Sequence, residues 1–128
     1  MTNGPSPDEG GAIARLTPDL VDMALDRLTL AIAGESRVDG VTILRRLRTL
    51  VDACVAERPT GAAQLGVLPE ILGAAITLQY PLMELERYLD GERGDIGDPD
   101  RAAVYLSFVK HHLWRLEQLI RHLADATR

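Results

Sequence analysis

Apolar positions recur at helical spacing, three and four residues apart, over most of the chain, and four stretches carry the pattern. The last is the longest. Ala102, Leu106, Val109, Leu113, Leu116, Ile120 and Leu123 form one stripe within residues 98–127, with Asp98 as an N-cap, Pro99 in the first helical position and no Gly or Pro afterwards. Tyr105, Phe108, His112 and Leu119 widen that stripe into a broad arc. A helix of about 27 residues measures about 40 Å, against about 25 Å expected for each of the first two, so part of this arc is expected to lie uncovered by the rest of the chain.

The earlier stretches read as three more helices. Thr17, Pro18 and Asp19 make a helix start, Val21, Ala24, Leu25, Leu28 and Ile32 its apolar stripe, and Gly34 its end. Ser36 followed by Asp39 resembles a capping box, which places the second helix start between them, and Pro59 ends that helix near Glu57. Its buried side is Ile43, Leu44, Leu47, Leu50, Val51, Cys54 and Val55. Residues 59–66 read as a surface loop. Pro69 opens the third helix, with Ile71, Leu72, Ala75, Leu78, Leu82, Leu85 and Leu89 inward, and Asp90–Gly91 closes it. Pro81 breaks into that stripe without stopping it, which favours a kinked helix over two short ones. Gly73, Ala74 and Ala75 leave room there for a close backbone approach.

These elements predict an all-α fold: a four-helix bundle, antiparallel and up-down-up-down because every loop is short, with the third helix kinked at Pro81 and a long C-terminal helix. Residues 16–128 form the single domain, preceded by a Gly- and Pro-rich tail over 1–15.

Composition supports this reading. A 46% apolar content in 128 residues suffices for one core, and 4% aromatic residues with abundant Leu, Ala, Arg and Glu favour helix over strand. The net charge of −5 and pI near 5.1 disfavour general nucleic-acid or anionic-membrane binding. No eighteen-residue apolar run is present, and the N-terminus lacks the charged and apolar regions of a signal peptide. Cys54 is the single cysteine, which excludes an internal disulfide and fits a reducing cytoplasm. Lys110 is the only lysine among fourteen basic residues, a codon-usage hint of a GC-rich bacterial genome.

Each candidate chemistry has a plainer competitor. Asp19, Asp22 and Asp26 share one helix edge, but no sequence signal supplies converging oxygens from a second helix, so a solvated acidic face is the stronger reading. The like charges of Asp22 and Asp26 call for a cationic neighbour, for which Arg45, Arg46 and Arg48 are candidates. That trio is also the one basic patch that could contact nucleic acid, although it has no interleaved aromatics. The loop after Asp90 fails the calcium-loop pattern, with Asp95 in the glycine slot and Arg101 where a bidentate Glu belongs. His111, His112 and His122 lack the one-turn spacing of a helical metal chelate. Ser107 and His111 are one turn apart but have no orienting third group. Trp114 stands at the margin of the stripe, either as a core-edge residue or as an interface anchor.

No catalytic, cofactor or metal signature emerges. The leading expectation is a non-enzymatic helical interaction module, self-associating as a homodimer or joining another helical protein as a small subunit or adaptor. Its expected contact residues are Tyr105, Phe108, Val109, His112, Leu113, Trp114, Leu116 and Leu119. The runner-up is a small-molecule-binding bundle or small enzyme with a pocket at Pro81 lined by Tyr80, Met83, Tyr88 and Tyr105. A regulator contacting nucleic acid through Arg45, Arg46 and Arg48 is third.

Overall fold

A computed structural model describes residues 15–57 and 68–126. The tail expected over 1–15, Arg15 apart, and the loop expected over 59–66 lie outside the described residues. Within them the chain forms four α-helices and no strand: α1 Pro18–Ile32, α2 Arg37–Glu57, α3 Leu68–Leu89 and α4 Pro99–Ala126. Each helix packs on its neighbour in sequence, and α4 closes back on α1, so the four form a bundle around one core. Leu28, Leu44, Leu47, Leu78, Leu82, Leu113 and Leu116 are wholly enclosed there. Polar links between α2 and α3 join early residues of one to late residues of the other: Arg37 to Tyr88, Arg45 and Arg48 to Glu86, and Asp52 to Gln79.

Local signals set most helix ends. The Leu20 N–H donates to Thr17 Oγ1 at 3.2 Å, and the Arg101 N–H to Asp98 Oδ1 at 2.8 Å, each with proline in the following position. At the C-termini of α1 and α3, Gly34 (φ 94°) and Gly91 (φ 80°) take the left-handed conformation. The amide after each glycine reaches back to the helix, Glu35 N–H to the Leu30 carbonyl and Glu92 N–H to the Arg87 carbonyl, both at 2.9 Å. Both are Schellman ends. α2 starts between Ser36 and Asp39, as expected, but not with capping-box geometry. Ser36 has φ 54°, not the extended backbone of an N-cap, and its carbonyl accepts the first helical bond from Gly40 N–H at 3.1 Å. That backbone conformation is not the one a capping box uses.

α3 runs unbroken through Pro81, whose ring is buried. Of the three small residues expected to admit a close approach, Ala74 and Ala75 are buried in the core and Gly73 is exposed. A Cβ at Gly73 would meet nothing within 4 Å, whereas one at Gly40 would collide with the Ala31 side chain where α1 meets α2. α2 is also longer than expected. α2 has 21 residues and α3 has 22, about 32 and 33 Å, and the α4 stripe is buried at Ala102, Val109, Leu113, Leu116, Ile120 and Leu123 along almost its whole length. The bundle therefore covers the central stripe, and uncovered apolar surface has to be sought on its flank.

Candidate interaction face on α3 and α4

At about 100° per residue, Asp100, Val104, Phe108, His111 and Arg115 fall within an arc of about 80° on α4, turned away from the core stripe. All five are exposed. Beside them on α3, Ile76 and Tyr80 stand one turn apart and also face outward. Ile76 is 54% exposed, Tyr80 48%, Val104 67% and Phe108 44%. Thr77, Tyr80, Pro81, Val104, Tyr105 and Phe108 line a groove of about 310 Å³ between the two helices. Beneath it the core is closed, since Leu78, Leu82 and Leu85 are fully buried. The hydroxyl of Thr77 is occupied, donating to the Gly73 carbonyl at 2.7 Å. The groove is a predominantly apolar surface.

Charges frame this face. At one end Arg115 Nη2 donates to Glu70 Oε2 at 3.1 Å, an exposed pair. The Phe108 ring lies 4.3 Å from the His112 ring, which is 5.0 Å from the His111 ring. Desolvation against these neighbours, with the positive fields of His111 and Arg115, holds the His112 pKa below its ordinary value. At the other end Asp100 begins α4 and Arg87 ends α3. The loop between them is pinned by Glu84, a buried carboxylate whose Oε1 accepts the Asp95 N–H at 2.6 Å and whose Oε2 accepts from Arg87 Nη1 at 3.4 Å. Arg101 holds the other side of that loop through the Asp95 carbonyl at 2.9 Å. A Cβ at Gly94 would sit 2.6 Å from Glu84 Oε1, so glycine is what admits the carboxylate.

The eight expected contact residues divide three ways. Val109, Leu113 and Leu116 have no exposed surface and are core residues in this fold. Tyr105, Phe108, His112 and Leu119 flank the core on the α3 side, with Phe108 the most exposed. Trp114 lies on the opposite flank, in a groove of about 400 Å³ between α1 and α4 that it shares with Leu25, Leu106, Asp22, Asp26 and Lys110. Val104 and Ile76 were missed because neither belongs to a core stripe; the signal was the one-turn pair Val104 and Phe108, offset from that stripe. Of the four residues expected to line a pocket, Tyr80 and Tyr105 line the groove. Met83 does not, and Tyr88 faces α2, where the Arg37 guanidinium is 6.0 Å from its ring centre.

Two of the arginine trio, Arg45 and Arg48, pair with Glu86 of α3 while keeping exposed surface. Arg45 Nε and Arg48 Nη1 donate to the two oxygens of Glu86 at 3.0 and 2.7 Å, and Arg45 also lies 3.6 Å from Asp90. Partial burial pushes the Glu86 carboxyl up, but the hydrogen bonds and positive charge of Arg48 and Arg45 outweigh it and hold it below the ordinary value. Arg45 is correspondingly raised, first by its hydrogen bond to Glu86. These arginines therefore do not answer Asp22 and Asp26; Lys110 shares the groove with those acids instead. Arg46 is exposed on α2. Among the described residues no group of three or more His, Cys, Asp or Glu could hold a metal ion, and no described helix is long and apolar enough to cross a membrane. Comparison with known protein families, with curated proteins and with solved structures gives no match.

Proposed function

We propose that this chain is a non-enzymatic helical interaction module that works by covering the α3–α4 face with another helical surface. One observation carries the reading: Ile76, Tyr80, Val104 and Phe108 form a contiguous exposed apolar patch with two aromatic residues at its middle and charged residues at both ends. Contiguous apolar patches with a polar rim mark association surfaces, and aromatic side chains dominate their energetics. A homodimer partner or another helical subunit would satisfy it equally in shape. A bacterial cytoplasm is the setting that the arginine bias and the buried Cys54 fit best.

The double substitution Tyr80→Ser and Phe108→Ser tests this. Both side chains are about half exposed, so far-UV circular dichroism is expected to stay unchanged while association is lost, whether followed by sedimentation or by co-purification from the native cell. Unaltered sedimentation and unaltered co-purification in the double variant would sink the reading.

A further inference from the structure

We infer that the occupant of the α3–α4 face is a second copy of this chain, paired with α4 antiparallel to its counterpart about a two-fold axis near Ser107 and Phe108. The inference rests on the reading of that face as an association surface and adds its partner and geometry. Its warrant is the order of charges along the exposed arc. From its N-terminus, α4 presents Asp100, then the apolar Val104 and Phe108, then His111 and Arg115. α3 repeats that order, with Glu70 first, Ile76 and Tyr80 in the middle, and Arg87 last. Each helix therefore runs from acid through apolar to base.

Such a helix is complementary to itself only when reversed. Asp100 and Arg115, and likewise Val104 and His111, are equidistant from the midpoint between Ser107 and Phe108. An antiparallel copy about that point sets each Asp100 against the other chain's Arg115 and each Val104 against His111, and brings the two Phe108 side chains together beside the axis. A parallel copy would oppose acid to acid and base to base, which costs affinity. Within one chain Arg115 already donates to Glu70 and Arg87 to Glu84. The Arg115 pair is exposed and weak, so the guanidinium is free to be shared with a partner carboxylate at the rim. The central aromatics supply affinity, and the rim charges supply register.

Sedimentation equilibrium on the full chain and its variants tests the pairing. The wild type is expected to be a monomer–dimer system. D100R and R115D are each expected to weaken the dimer by roughly tenfold, since symmetry loses two rim pairs at once, and the double variant D100R/R115D to recover most of that loss. Under oxidation V104C/H111C is expected to cross-link across the axis, whereas Q118C, remote from it, is expected not to. A dimer whose strength ignores both single swaps, or whose double variant is as weak as the worse single one, overturns the geometry. A chain that stays monomeric at its solubility limit yet retains another protein in a Phe108-dependent manner overturns self-pairing while leaving the interaction-module reading intact. Loss of both behaviours in the wild type removes both.

Discussion

At Gly40 the meeting of α1 and α2 leaves no space for a side chain: a Cβ would overlap that of Ala31 and approach Leu89 Cδ1 at 3.2 Å. At Gly73, also within a helix, nothing lies within 4 Å. The two sites should respond with opposite signs. Gly40→Ala is expected to destabilise, because overpacking costs about 1–3 kcal/mol and exceeds the helical gain of up to about 1 kcal/mol. Gly73→Ala is expected to stabilise by roughly 0.5–1 kcal/mol, the helical gain alone. Urea denaturation of the two variants checks both, and a common sign would contradict the packing. The sequence marks both glycines but not which one meets a neighbour, since that depends on a contact between separate helices. Acidification should act in two windows. The lowered pKa of His112 means that the unfolded chain binds this proton first, so stability falls as pH drops below the ordinary 6.5 towards the folded value. The lowered pKa of Glu86 preserves stability above its unfolded value of 4.5, and that contribution is lost as pH falls through the folded value. His112→Gln is expected to remove the first decline and Glu86→Gln the second, both read from urea midpoints against pH.

Among the elements, the ends that could be read in the sequence are those whose hydrogen bonds close within a few residues. Thr17 and Asp98 cap the amides three residues ahead, and Gly34 and Gly91 turn the chain where only local backbone sterics matter. α2 starts within the expected bounds, but the left-handed backbone of Ser36 is not what a capping-box pattern indicates. The latch on the α3–α4 loop could not be seen either. Glu84 lies on a helix face where a charged residue reads as solvated, and only the return of Gly94 and Asp95 buries it. Glu84→Ala is expected to cost about 1–3 kcal/mol by leaving the Asp95 amide without its acceptor. Hydrogen exchange should show the change concentrated in residues 91–98, with the cores of α2 and α3 protected as before. Uniform loss of protection would mean that Glu84 supports the bundle and not the loop.

For the molecule as a whole, the four-helix character was legible because the apolar stripes are long and regularly spaced. The division of the α4 arc between core and surface was not. A wide arc of apolar positions gives no indication of which edge meets the rest of the chain, and Val109, Leu113 and Leu116 belong to the same periodicity as Phe108. The neighbours α1 and α3 settle it by closing on the middle of the arc and leaving Val104 and Phe108 outside. The arginine cluster resolved in the same way: its sequence is basic, yet Glu86 of α3 takes up Arg45 and Arg48. The placement of Trp114 has a practical consequence. The chain has one tryptophan, and it stands in the α1–α4 groove, about 120° around the helix from Phe108. Its emission is thus a native reporter on the seating of α1 against α4, and because His111 and Arg115 border the indole on its other side, a dilution series that splits an assembly at that rim would shift the spectrum as well.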